Sequence, residues 1–522
     1  MIIGGVSTTC PAGVPTTSPM RPTPRSCCTQ HCHARGRLAG PASGLRSPRQ
    51  PVGTRPRCAT VRRSARACAL ALLAAGALPP ASAQAPGSGN RPPTETSEAA
   101  VRPDASWPPA HEAWQARFQS TYVRQHKPSF AAAYSGPNSL RPEQERSYSL
   151  TATAMLGVRP WRGAEVYVNP EMALGLPLSG LVGLGGFPNA ELARTAGRDP
   201  VFYLARGFVR QTIGLGGGTD PVASDQNQLA GSVQRRRLVV TAGVLPVIDL
   251  FDDNAYSHDA RTQFMNWSLV THGAYDFAAD ARGYSRGVAV EWFHDAWAAR
   301  IGRFMQPRES NGLELNRALA RSHGDQLEIE RAFELADQPG RLRLLAYHNR
   351  AVMGAYADAL ALAAATGGEP AVSAVRRDRT KVGFGINLEQ RLGALGGLFV
   401  RGSRHDGRTE SYAYTEIDRS VSAGVLLGGA GWSRPRDTAG VAFARNGLSR
   451  GHRDYLAAGG RGFFLGDGRL SYRPEQVLEA FYSLAVHRRA WLSFNAQQVR
   501  HPGYNADRGP ARLVGVRLHT NF

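Results

Sequence analysis

The sequence predicts an all-β fold, a transmembrane antiparallel β-barrel of about sixteen strands with short periplasmic turns and long outer loops. Three observations carry this. Apolar and polar residues alternate with period two in many short runs over 113–522. The connections between those runs alternate between tight turns and long loops. A secretory signal precedes them, and no apolar run after it approaches the roughly 18 residues that a spanning helix requires.

Residues 1–60 are rich in Pro, Ser, Gly and Arg and lack apolar periodicity, which reads as a disordered extension or as sequence upstream of the true start near Val61. Residues 61–83, VRRSARACALALLAAGALPPASA, follow with a basic stretch at Arg62, Arg63 and Arg66. A short apolar run ends at Pro79–Pro80, and Ala81-Ser82-Ala83 fits the small-x-small cleavage rule. The secretion translocon and signal peptidase are therefore expected partners. Residues 84–112 are Pro-rich and polar, a flexible lead-in.

Cleavage after Ala83 changes the composition. Cys10, Cys27, Cys28, Cys32, Cys58 and Cys68 all lie before it, which excludes a disulfide framework or a thiolate metal site in the mature chain. The leader holds eleven arginines and no acid, so the formal charge falls from +21 to (62 − 11) − 41 = +10. Over 439 residues that is moderate, and it does not indicate nucleic-acid binding. Only Lys127 and Lys381 are lysines; all other cationic side chains of the mature region are arginines.

The strands follow in order. ERSYSLTATAMLGV sets Tyr148, Leu150, Ala152, Ala154, Leu156 and Val158 against Ser147, Ser149, Thr151 and Thr153, and AEVYVNPEM returns after a turn at RPWRG. VFYLARGFVRQTI places Tyr203, Ala205, Gly207 and Val209 opposite Arg206 and Arg210. RRLVVTAGVL, RGVAVEWFHDAWAARIGRF, QLEIERAFELADQPGRLRLLAYHNR, TKVGFGINLEQRLGALGGLFVRGS, RSVSAGVLLGGAGW and PEQVLEAFYSLAVHRRAWLSFNAQQ repeat the pattern. Tight turns fall at 159–163, 295–296, 337–340 and 487–489; long loops fall near 173–200, 246–263, 305–323, 351–378 and 446–473. The chain ends in ARLVGVRLHTNF, with Val514, Val516, Leu518 and Phe522 on one parity and Arg517, His519 and Asn521 on the other. A closed barrel needs this strand paired with the first, because lipid cannot satisfy open backbone groups. Phe522 has the form of the C-terminal aromatic read by the barrel assembly machinery.

Residues 249–287, DLFDDNAYSHDARTQFMNWSLVTHGAYDFAADARGYSRG, form a long polar and aromatic block. The block resembles one found in the carbohydrate-selective porins of Gram-negative outer membranes, the OprB type. Its family residues here are Asp252, Asn254, Arg261, Asn266, Trp267, Asp276, Asp280 and Arg282. YSGPNSL (134–140), NPEMALGLPLSGLVGLGGFPNAE (169–191), ARNGLSRGHRDYLAAGG (444–460) and YRPEQVLEAFYSL (472–484) match in order, so the resemblance spans about 114–522. Where the family commonly has Asp-Pro-Arg, this chain has Asp259-Ala260-Arg261. The resemblance implies a sixteen-stranded outer-membrane barrel through which small sugars, monosaccharides such as glucose, diffuse without a cofactor.

A sugar pore needs a narrow wall that exchanges hydrogen bonds with hydroxyls and releases them. Strand parity puts Arg206, Arg210, Arg341, Arg343, Arg401 and Arg517 toward the lumen as donors. Glu165, Glu328, Glu330, Glu389 and Glu479 face it as acceptors. Each of these also serves a simpler purpose, solvating the wall and balancing a neighbour. Arg331 is the exception, since parity points it at lipid. The loop around DLFDDNAYSHD is a candidate constriction. Asp249, Asp252, Asp253 and Asp259 resemble an oxygen cluster for a hard cation, but their spacing fits no EF-hand, and no metal is expected. GLGGG at 214–218 lacks the strand-to-helix context of a nucleotide loop. No G-x-S-x-G, H-E-x-x-H or Cys–His arrangement occurs in the mature chain, so no enzyme activity is expected. Two alternatives to the sugar pore stay open: a general or anion-preferring pore, favoured by the +10 charge, and a structural or adhesive barrel with a blocked lumen.

Overall fold

A computed structural model describes residues 111–522 except Ala193 and Thr195. The expected extension at 1–60, the signal at 61–83 and nearly all of the lead-in at 84–112 lie outside the described residues. Sixteen strands form one closed antiparallel barrel, each paired with its neighbours in sequence. The first eight are β1 (Trp114–Lys127), β2 (Glu145–Val158), β3 (Ala164–Leu176), β4 (Val201–Val222), β5 (Gly231–Leu245), β6 (Ser285–His294), β7 (Trp297–Met305) and β8 (His323–Leu335). The remainder are β9 (Gln338–Met353), β10 (Arg377–Arg391), β11 (Gly396–His405), β12 (Arg419–Gly428), β13 (Thr438–Gly447), β14 (Glu475–His487), β15 (Ala490–Arg500) and β16 (Ala511–Asn521).

β16 closes the barrel on β1 from Gln119↔Asn521 to His126↔Val514. Phe522 extends this closure: its amide donates to the Phe118 carbonyl at 2.8 Å and its carbonyl accepts from the Phe118 amide at 3.1 Å. Outward side chains such as Leu156, Val168, Ile301, Phe384, Val441 and Val516 are exposed, an apolar wall suited to lipid. No helix among the described residues is long and apolar enough to cross a membrane.

Three local features depart from simple alternation. Asn169 pairs with Arg206 but Pro170 with Leu204, so Ala205 is an extra residue on β4. Pro170 has no N–H to give the ladder, and the bulge forms there. The parity of β4 reverses across the bulge. Phe202 and Leu204 are exposed on the wall. Tyr203, expected to share Val209's outward face, points inward and donates from its hydroxyl to Glu171 at 2.6 Å. The second departure is the β8–β9 turn. It consists of Ala336 and Asp337, with φ of 52° and 58°, closed by a Leu335↔Gln338 pair. This two-residue turn with two positive φ values matches strand twist, so Gln338 and Pro339 already belong to β9. Arg331 does face outward. It lies near this turn with its guanidinium 4.8 Å from the Trp297 ring, at the membrane edge rather than through a register slip.

The third departure explains GLGGG. Gly216, Gly217 and Gly218 have φ of 94°, 84° and 86°, where the β4–β5 register shifts twice. Residues with a Cβ rarely adopt three such values in succession. The hairpin tip at 223–230 then meets lumen-facing side chains. Gln226 Nε2 donates to Gln119 Oε1 at 2.9 Å, and the Leu229 amide donates to the Tyr167 hydroxyl at 3.1 Å.

The largest apolar core lies inside the barrel, among the long loops. Leu140, Phe187, Trp267, Phe464, Leu465 and Tyr504 come from five different connections and are all buried in one cluster. The outer half of the barrel is therefore packed, and the lumen's free space lies below it.

Candidate functional site

The β5–β6 connection, 246–284, is longer than the expected 246–263 and folds into the lumen. Inward side chains of distant strands seize its backbone. Glu328 on β8 accepts from the Asp252 amide at 2.7 Å, and Glu389 on β10 from Ala255 at 2.8 Å. Glu479 on β14 accepts from Met265 and Asn266 at 2.7 and 2.9 Å. Arg517 on β16 donates to the carbonyls of Ala260 and Gln263 at 2.6 and 2.8 Å. A lone buried carboxylate would be costly, and paired amides offset that cost.

The family-block residues knit the same loop. Asp252 is fully buried and accepts from Thr271 Oγ1, the His272 amide, Asn387 Nδ2 and Arg401 Nε at 2.5, 2.6, 2.6 and 3.0 Å. Asn254 donates to Asn387 at 2.7 Å and accepts from the amides of Tyr256 and Ser257. Asn266 caps the short helix Trp267–Val270, where Trp267 stacks on Tyr414 with centroids 5.5 Å apart. Arg261 bridges Glu171 and Glu191 at 3.0 and 2.8 Å. Asp276 holds Lys381 at 2.6 Å and accepts from the amides of Tyr412 and Ala413. Asp280 closes a turn by accepting from the Arg282 and Tyr284 amides, and Arg282 lies over the Tyr203 ring.

Burial pushes the Asp252 carboxyl up, but Arg401, His272 and its hydrogen bonds outweigh burial and hold it at about 2. Burial drives His272 down to about 4 despite Asp252 beside it. Its Nε2 lies 3.3 Å from Asp252 without a hydrogen bond. The docked imidazole therefore stays neutral where a free one, titrating near 6.5, gains a proton. Proton uptake by the free loop opposes docking progressively as pH falls from about 6.5 to about 4, a total of about 3 kcal/mol. Asp252 adds to the loss only below about pH 4, as its depressed carboxyl protonates. Amide exchange of 246–284, corrected for intrinsic pH dependence, is expected to rise more across pH 6.5 to 4 in the wild type than in His272→Gln. An equal change in the two proteins contradicts this account.

Beneath the loop runs a ladder of charge on β6–β10. Arg300 reaches Glu291, Glu328 and Glu330 at 3.0, 2.9 and 3.1 Å. Arg343 joins Glu330 and Glu389 at 2.8 and 3.1 Å, and Arg341 lies 3.7 and 3.6 Å from the same two carboxylates. Next to it opens a cavity of about 200 Å³ toward the short-turn end. Five arginines line it (Arg159, Arg206, Arg210, Arg237 and Arg300), as do five carboxylates (Glu165, Asp225, Asp249, Asp253 and Glu291). Arg206 grips Asp249 through two bonds of 2.6 and 2.7 Å. Glu165 takes Arg159 at 2.7 Å and Arg210 at 3.4 Å.

The sequence-derived candidates thus divide. Arg206, Arg210 and Glu165 reach the cavity. Arg341, Arg343, Glu330 and Glu389 make the ladder, with Glu389 also holding the loop. Arg401, Arg517, Glu328 and Glu479 hold the loop. Arg300, Glu291 and Arg237 were not among them, although the same parity rule, with Ile301 and Trp292 outward, places the first two inward. Asp249, Asp252, Asp253 and Asp259, which in sequence resemble an oxygen cluster, do not gather into one. Asp249 faces Arg206, Asp252 faces Arg401, and Asp259 caps Arg261 and Thr262. His323, Asp325 and His348 do approach one another, but Arg303 occupies Asp325 through bonds of 2.6 and 2.9 Å.

A closed barrel with an apolar exterior, a charged lumen and a loop folded across it is a transmembrane channel of the porin class. The family model for the carbohydrate-selective porin, OprB family, matches residues 145–522. The chain belongs to that family, whose members are outer-membrane channels of Gram-negative bacteria and not enzymes. The high-pH structure of Pseudomonas putida OprB is 18% identical, covering 78% of this chain and 94% of that one, with a TM-score of 0.60. Its low-pH structure is 13% identical over 78% and 93%, at 0.44. Pseudomonas aeruginosa OccK2 is 11% identical over 78% and 97%, at 0.38. At these identities the first likeness supports the fold alone, and the other two carry no argument. No curated protein matches the sequence.

Proposed function

We propose that this porin passes small uncharged sugars, of the size of glucose, by passive diffusion through the cavity beneath the in-folded loop. The observation that carries the proposal is the balance of that cavity, five arginines against five carboxylates. A sugar hydroxyl both donates and accepts, so a wall of paired donors and acceptors suits it. An anion pore would gather unpaired arginines there, whereas Arg206, Arg210 and Arg300 each face a carboxylate. The surplus positive charge lies elsewhere on the molecule. Phe208, with Arg210 5.3 Å from its ring, supplies aromatic surface at the cavity wall. Lipid, the barrel assembly machinery and the export apparatus are the partners this reading requires.

The test is the mature chain in planar bilayers. Conductance is expected to fall saturably with glucose, with a reversal potential near zero in a salt gradient. Strong anion selectivity with no response to glucose would transfer the assignment to the anion pore.

A further inference from the structure

The outer face of the barrel carries arginines that nothing among the described residues neutralises. Arg404 and Arg419 sit directly opposite each other on β11 and β12. Arg445, on β13, stands opposite Val421, two residues along β12 from Arg419. All three are exposed, and no ion pair or side-chain hydrogen bond from the described residues engages them. Each lies within three residues of its strand's long-loop end. Round the wall, Arg500 and Arg512 on β15 and β16, and Arg124 and Arg146 on β1 and β2, repeat the placement. Like charges facing across two strands repel, so the Arg404–Arg419 pair is a cost unless an anion joins them.

The short-turn end is different. Arg434 there pairs with Asp437, and Arg436, Arg489 and Arg331 lie over the rings of Trp491, Phe522 and Trp297. These four cations find partners inside the chain. At the long-loop rim Arg303 and Arg350 also pair, with Asp325 and Asp378, but Arg404, Arg419 and Arg445 have no such partner among the described residues. Their partner must also be amphipathic, because Val421 and Phe443, one outward position toward mid-membrane, and Val400, two outward positions from Arg404, are exposed on the same face. Guanidinium forks favour phosphate oxygens, which they grip with two bonds.

We propose that the long-loop rim of this barrel binds a phosphorylated glycolipid of the outer leaflet. Its phosphates bridge Arg404, Arg419 and Arg445, and its acyl chains lie along Val421 and Phe443.

The experiment is native mass spectrometry of the mature protein in micelles, titrated with a bisphosphorylated lipid A, its dephosphorylated counterpart or phosphatidylglycerol. The bisphosphorylated lipid is expected to bind at least about tenfold tighter than either of the others. The triple variant Arg404→Gln, Arg419→Gln, Arg445→Gln should lose that margin, and Arg434→Gln with Arg436→Gln should keep it. Should the triple variant not fold, Arg404→Gln alone removes the opposed pair and should show a smaller loss in the same direction. Equal binding of the dephosphorylated lipid, equal binding of phosphatidylglycerol, or an undiminished margin in the arginine variants overturns the proposal.

Discussion

Asp252→Ala is expected to release the in-folded loop and raise single-channel conductance severalfold, with loss of glucose block. One carboxylate accepts four hydrogen bonds, two from its own loop at Thr271 and His272 and two from the wall at Asn387 and Arg401. Its removal leaves Arg401 buried with only the carbonyls of Leu269 and Asp252 as acceptors. Breaking a buried charge pair on one side costs about 3–5 kcal/mol. The barrel itself does not depend on this pair, since its ladder of backbone bonds is closed without the loop. The loss therefore falls on docking of 246–284, and the channel opens while the barrel stays folded. Heat-modifiable electrophoretic mobility reports the barrel, and planar-bilayer conductance reports the loop. Unchanged conductance in a folded variant would show that the loop is held by its other contacts.

Arg300→Gln is expected to turn a nearly unselective channel toward cations and to weaken glucose block about tenfold. Arg300 alone touches three carboxylates, Glu291, Glu328 and Glu330. Arg343 and Arg341 still reach Glu330, but Glu291 loses its ion pair with Arg300. The cavity balance becomes four arginines against five carboxylates, starting from the five and five that line it. In a narrow, poorly hydrated lumen one uncompensated charge changes ion preference measurably. The reversal potential in a salt gradient reads this sign directly. A shift toward anions, or none, contradicts the assignment of Arg300 to the conducting wall.

Much of the architecture was legible in the sequence because its rule is local. A strand shows alternate side chains to opposite faces, so Val514, Val516 and Leu518 had to face one medium and Arg517 and His519 the other. The same rule puts Arg343, Glu330 and Glu389 inward, where all three are buried. It failed at Tyr203, because the bulge at Ala205 arises from Pro170 on the neighbouring strand. It was silent about GLGGG, whose three positive φ values matter only where β4 and β5 change register.

The sequence by itself therefore determined the closed barrel, its strands and, except across the β4 bulge, the face each strand turns inward, since these follow from period-two alternation and from lipid's inability to solvate open backbone. The tertiary structure alone decided what the inward residues do. Arg401 meets Asp252 across 149 positions and Glu479 meets Met265 across 214. Whether an inward arginine lines a pore or clamps a loop depends on where that loop lies, and contacts so distant in sequence leave no local pattern.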